Sequence, residues 1–185
     1  MNKLIITVLA KDRPGIIAQV TTDLFELSCN LENVNQMILQ DQFAGFFIVE
    51  APADMPPESV EKKLNEKANG NGLTIHVNRL DREEGQTETD TSQEIFLITT
   101  IGPDQKGLVA RFSNIIAAFN GNIVNLKAVF KGGRDPNSNV MSYQVAVTKD
   151  VDAPALFAAL REKAAELELD IRIQHKNIFD AINKI

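Results

Sequence analysis

The sequence predicts an α+β chain of two like halves, each an antiparallel sheet with its helices on one face. Three observations lead there. Residues 7–34 (TVLAKDRPGIIAQVTTDLFELSCNLENV) align without a gap on residues 99–126 (TTIGPDQKGLVARFSNIIAAFNGNIVNL). Asp12 meets Asp104, Gly15 meets Gly107, Ala18 meets Ala110, Asn30 meets Asn122 and Asn33 meets Asn125, every pair 92 positions apart. Each half then runs through the same order of strand-like and helix-like segments. Between the halves, residues 81–93 (DREEGQTETDTSQ) hold no large apolar side chain and read as a solvated acidic linker. Two copies are too few for a solenoid, so domains are expected at residues 1–80 and 94–185, each with its own core.

In the first half, Leu4–Leu9 is a near-continuous apolar run, the mark of a central strand. Asp12 is a candidate N-cap with Pro14 in the turn that follows. Ile16, Val20, Leu24 and Leu27 recur at steps of four, four and three and make one buried helical stripe, which Ser28-Cys29-Asn30 ends. Leu31–Gln40 and Phe43–Ala51 read as a hairpin around Gln40-Asp41-Gln42. Pro56-Pro57 opens a second helix with Val60, Leu64 and Ala68 on one side. Asn69-Gly70-Asn71-Gly72 stops it, and Leu73–Leu80 is the last strand.

The second half repeats the order. Ile95–Ile101 is a strand, and the helix after Gly102-Pro103-Asp104 carries Leu108, Phe112, Ile116 and Phe119. Asn120-Gly121 is a helix stop in which Gly supplies a left-handed cap. Ile123–Phe130 and Val140–Val147 form a hairpin around the loop Lys131–Asn139. Asp152 caps a helix with Leu156, Leu160, Ala164 and Leu167, and Leu169–Gln174 closes the sheet. Ile178, Ile182 and Ile185 suggest a short amphipathic helix in the tail. Strand–helix–strand–strand–helix–strand is the ferredoxin-like plan. Because the central strands are apolar on both faces, the helix-free faces are expected to be covered, by each other or by another subunit.

Apolar content of 44% and charged content of 24% are ordinary for a globular protein. The net charge of −6 divides as −3 over residues 1–80, −4 over 81–93 and +1 over 94–185. No segment is a basic patch, so direct nucleic-acid binding is not expected. The single cysteine, Cys29, excludes an intrachain disulfide and a cysteine-rich metal site. No membrane span or signal peptide is expected, and the cytoplasm is the default compartment.

Enzyme signatures are missing. There is no phosphate-binding or dinucleotide-binding glycine motif and no nucleophile elbow. His76 and His175 lack metal-ligand spacing. No catalytic residue, metal site or cofactor is therefore expected, and the chain is read as a non-enzyme. What remains is the strand-to-helix turn in each half, Lys11-Asp12-Arg13-Pro14-Gly15 and Pro103-Asp104-Gln105-Lys106-Gly107. Helix-start amides can hold a carboxylate, and glycine lets a ligand approach the backbone. Asn30 and Asn122, after the first helix of each half, offer a donor and an acceptor suited to an α-amino acid. Ordinary capping and helix stopping explain the same residues.

These turns resemble those of the ACT-domain family, small βαββαβ regulatory modules that commonly bind amino acids. The family turn is roughly G-x-D-R-P-G-I-[IV]-A, followed some fifteen residues later by N-I. Here the halves read AKDRPGIIA then NL, and GPDQKGLVA then NI. Two such domains without an enzyme domain are similar to the glycine cleavage system transcriptional repressor group. The resemblance implies a ligand where two ACT domains meet, held by Asp12, Arg13, Gly15 and Asn30, and by Asp104, Gly107 and Asn122. Ala10 stands where the family often has Gly, and Gln105-Lys106 replaces Arg-Pro. The expected function is regulation of a protein partner, a transcription factor being one candidate, by a small glycine- or serine-like amino acid in a homo-oligomer. The alternative is an interaction or oligomerisation module independent of ligand.

Overall fold

A computed structural model describes residues 2–80, 93–129 and 139–178. The acidic linker (81–92 of it), the loop 131–138 and the tail residues Ile182 and Ile185 lie outside the described residues; 176–178 begin a helical turn. The chain divides into two compact units, Met1–Gln86 and Thr87–Ile185.

In the first unit β1 (Asn2–Lys11), α1 (Ile16–Glu26), β2 (Asn30–Leu39), β3 (Gln42–Ala51), α2 (Pro57–Ala68) and β4 (Thr74–Arg79) follow one another. The sheet has the order β2-β3-β1-β4 with antiparallel neighbours throughout. Alternation along β1 puts Leu4, Ile6, Val8 and Ala10 into the core beneath the helices, where they meet Val20 and Leu24 of α1 and Val60 and Leu64 of α2. On the helix-free face Ile5 is half-buried, while Leu9 and Phe46 are exposed. The β2–β3 hairpin closes through two residues, Gln40 and Asp41, with φ of 47° and 61°. Two positive φ values match the turn to the twist of the strands.

The second unit repeats the plan with β5 (Glu94–Gly102), α3 (Leu108–Ala118), β6 (Asn122–Val129), β7 (Asn139–Val147), α4 (Ala153–Glu166) and β8 (Asp170–His175), in the sheet order β6-β7-β5-β8. Its core gathers Ile98, Phe112, Ile116, Tyr143, Leu156 and Leu160. As expected, Asp152 caps α4, its carboxylate accepting the Ala155 N–H at 3.0 Å. The duplication extends to irregular features. A β-bulge falls between Leu31 and Asn33 and again between Ile123 and Asn125. Ser28 and Asn120, 92 positions apart, leave their helices at φ of 57° and 55°.

Three local expectations are corrected. Asp12 does not cap α1. Its N–H donates to Asp41 O at 2.8 Å, prolonging the β1–β3 ladder and holding it short of the helix. The cap position belongs to Gly15, at φ 91°, and Pro14 lies before the helix rather than in its first turn; Gly107 does the same at φ 81° before α3. After α3 the left-handed residue is Asn120, not Gly121. Gly121 is needed for space, since a Cβ there would lie 2.9 Å from Ile116 Cγ2 and 3.1 Å from Ile116 O. Asn30 is not part of the end of α1; it opens β2, just as Asn122, expected after α3, opens β6.

Candidate ligand-binding site

The turn between β1 and α1 borders an open hollow of about 380 Å³, lined by Asp12, Arg13, Gly15, Ile16, Ile17, Ala18, Gln36 and Phe43. The backbone explains its chemistry. The left-handed Gly15 swings the chain from strand into helix, and a Cβ added there would meet nothing within 4 Å. The first α1 amide to reach a backbone acceptor is that of Gln19, which donates to Gly15 O at 2.9 Å. The earlier amides face outward, with the partial positive charge of the helix start behind them. A carboxylate fits that end, and the exposed Asp12 carboxylate offers an acceptor for an ammonium group.

Arg13 has structural work at the same place. Its guanidinium donates to Gln19 Oε1 at 3.1 Å and to the Asn71 carbonyl at 3.3 Å. It thereby ties the first turn to the Asn69–Gly72 turn that ends α2. In the second unit Gln105, at the matching position, donates its Nε2 amide to Leu167 O at 2.8 Å, tying the first turn to the end of α4. The replacement of Arg by Gln thus keeps the bridge between turns and drops the charge.

The sheet separates the remaining candidates. Asn30 pairs with Glu50 beside Lys3, whereas Asp12 and Gly15 follow Lys11, eight positions further along β1. At about 3.3 Å per residue that is about 26 Å, so Asp12, Arg13 and Gly15 come together and Asn30 of the same unit stands at the opposite end. The second unit is built alike. Asn122 pairs with Ala146 beside Ile95, and Asp104 and Gly107 lie beyond Gly102 at the other end. A second hollow, about 550 Å³, is lined by Ile101, Gly102, Pro103, Glu168, Leu169 and Asp170 and by none of the candidate residues.

Five lining residues were not among the sequence-derived site candidates: Ile16, Ile17 and Ala18, which continue the turn, and Gln36 and Phe43, which come from the β2–β3 hairpin. Gln36 is the polar member of the series Val34, Gln36, Ile38, which points to the helix side of β2; period-two reading of that strand would have singled it out. No group of three or more His, Cys, Asp or Glu able to hold a metal occurs among the described residues. His175 accepts the Asn177 N–H through Nδ1 at 3.2 Å and packs edge-on against Phe96. Cys29 is buried, and burial pushes its thiol pKa up, away from a reactive thiolate. No helix among the described residues is long and apolar enough to cross a membrane.

Two ferredoxin-like modules, each turning from strand to helix through a left-handed glycine, define a tandem array of small α+β domains. Comparison with known proteins supplies the family. The ACT-domain model matches residues 2–78 and 94–174. The chain belongs to the ACT-domain family, whose members are regulatory modules that bind amino acids. A UPF0237 protein of Methanopyrus kandleri is 30% identical over 82 residues, covering 44% of this chain and 91% of its own. Another, from Streptococcus mutans, is 33% identical over 76 residues, covering 41% and 84%. Among solved structures, an unknown protein from Galdieria sulphuraria superposes with a TM-score of 0.74 at 20% identity, covering 94% of this chain and 98% of that one. A candidate glycine cleavage system transcriptional repressor superposes at 0.69 with 17% identity, covering 94% and 96%. At these identities the two structures establish the shared fold.

Proposed function

We propose that this chain is a non-enzymatic regulator that binds a small α-amino acid and passes the signal to a protein partner. The observation that carries the reading is the hollow at the start of α1, where outward amides and the Asp12 carboxylate sit side by side. They complement the two charges of a zwitterion. Membership of the ACT-domain family supports the same ligand class. The separation of Asn30 from that turn suggests how the rest of the candidate set takes part. Two-fold pairing of β2 with β2 of a second copy would bring one copy's Asn30 to the end of the sheet where the other's Asp12 and Gly15 lie. A homo-oligomer would then complete the site. By its chemistry the effector is glycine- or serine-like, and the partner is a transcriptional regulator of amino-acid metabolism, in keeping with the description of one structural neighbour.

The size of the ligand bounds the affinity. Five heavy atoms at about −1.5 kcal/mol each give glycine a ceiling near about −7.5 kcal/mol, a Kd of a few micromolar at best, on the order of 10⁻⁶ M. Titration calorimetry with each of the twenty amino acids at millimolar concentration is the test. Micromolar to millimolar binding, abolished by Asp12→Ala, is expected; no heat with any of them overturns the proposal.

A second reading, a ligand-independent interaction module, is favoured by β2, which is exposed along its whole length and carries Leu31, Val34, Met37, Ile38 and Leu39. Partner capture that ignores every amino acid would select it.

A further inference from the structure

We infer that the first unit is the half that reads the amino acid, and that Gln36 selects the ligand by its side chain, favouring small neutral amino acids that end in a hydroxyl or carboxamide. The inference rests on the ligand reading above and extends it to one unit and one residue.

The duplication supplies an internal comparison. In the first unit one row across the sheet holds Gln36, Gly45 and Val8; the equivalent row of the second holds Ala128, Met141 and Thr100. Two positions further along β1, on the same helix-side face, Ala10 pairs with Phe43, where the second unit has Gly102 opposite Asn139. These substitutions change the wall of the hollow. Gly45 is the position that lets the aromatic floor form. A Cβ there would come within 2.9 Å of both the Phe43 and Phe47 rings, so any side chain would push them aside. Met141 fills the corresponding place in the second unit, its sulfur receiving the Tyr143 hydroxyl at 3.5 Å.

Gln36 stands on the wall opposite the turn. Its side-chain amide makes no hydrogen bond to the described residues, leaving a donor and an acceptor free. The other groups of the hollow have chemical counterparts in any α-amino acid. The α1 amides suit the carboxylate, Asp12 the ammonium, and Phe43 with Ile17 an aliphatic stem. The amide of Gln36 is the one neutral polar group without a counterpart in that set, and it matches a ligand hydroxyl or carboxamide. Ala128 offers the second unit no such group. Gln105 there has its amide engaged with Leu167 O, and the charge of Arg13 has no equivalent at that position.

Calorimetry on the full chain tests this with serine, asparagine and glutamine against alanine. The wild type is expected to bind the polar ligands about tenfold more tightly than alanine, one added hydrogen bond. Gln36→Leu, similar in volume and on an exposed position, should erase that preference while alanine binding persists. Asp104→Ala in the second unit should leave all affinities unchanged. Equal binding of alanine and serine by the wild type, a preference that survives Gln36→Leu, or loss of binding in Asp104→Ala would overturn the assignment while leaving amino-acid sensing intact. Absence of binding by any amino acid would overturn both.

Discussion

Glu61 Oε2 accepts the backbone N–H of Val77 at 2.6 Å, and this bond closes the free edge of β4. Asn65, one turn further along α2, donates its Nδ2 amide to Ile75 O at 3.1 Å. Two side chains of one helix therefore satisfy outward-facing backbone groups that an edge strand would otherwise offer to another chain. At the opposite edge of the same sheet β2 is exposed throughout. The first unit thus has one edge with capped backbone groups and one open edge, and the strand pairing proposed above would use the open one, β2.

Glu61→Ala removes a charge-assisted hydrogen bond and should destabilise the first unit by about 1–2 kcal/mol. Urea unfolding should show one transition moving to lower concentration while that of the second unit stays in place. Hydrogen exchange at the Val77 amide should accelerate. An unchanged midpoint together with unchanged exchange would refute the role given to this bond.

Gly15→Ala and Gly107→Ala place an L side chain at φ of 91° and 81°. Neither new Cβ meets an atom within 4 Å. The cost is therefore conformational, about 1–2 kcal/mol at each site, and similar in the two units. A much larger loss at one of them would reveal a packing role that the open surroundings do not suggest.

Gly121→Ala tests a different mechanism. The backbone there is not left-handed, but the new methyl would press on Ile116 and on Val145 Cγ1, 3.2 Å away. Overpacking should cost about 1–3 kcal/mol. Asn120→Gly, at φ 55°, should be tolerated well, since glycine adopts that conformation freely. The opposite ranking in thermal unfolding would restore Gly121 as the left-handed cap.

Tyr143 is the one tyrosine of the chain and is fully buried in the second core, where burial pushes its pKa up to about 12 from 10.0. The unfolded chain loses this proton first, so between about pH 10 and pH 12 the native state binds more protons than the unfolded one. The Tyr143 contribution to second-unit stability is therefore present below that window and falls as pH rises through it. Tyrosinate absorbance should lag behind that of a free tyrosine and appear together with unfolding of the second unit. Ionisation at the ordinary value in a folded chain would contradict the burial.

Much of the architecture was readable beforehand, and the reason is local. The stripe Ile16, Val20, Leu24 is a 3.6-residue period, and the Pro56-Pro57 and Asp152 helix starts are set by neighbouring atoms. The repeat itself carried the boundaries from one half to the other. The site was partly readable. Asp12, Arg13 and Gly15 border the hollow because they are contiguous in the chain. Gln36 and Phe43 were missed because a hairpin brings them there from more than twenty residues away.

The linear order of residues was sufficient to establish a duplicated βαββαβ chain, since periodicity, turn residues and repetition act over short distances; that glycine rather than aspartate starts the first helix of each half was visible only in the fold. Which candidates could share a ligand was decided by folding. Parallel placement of β1 and β2 carries Asn30 to one end of the sheet and Asp12 to the other. The bridges from Arg13 to Asn71 and from Glu61 to Val77 likewise join groups that only the closed sheet and its packed helices bring within hydrogen-bonding reach.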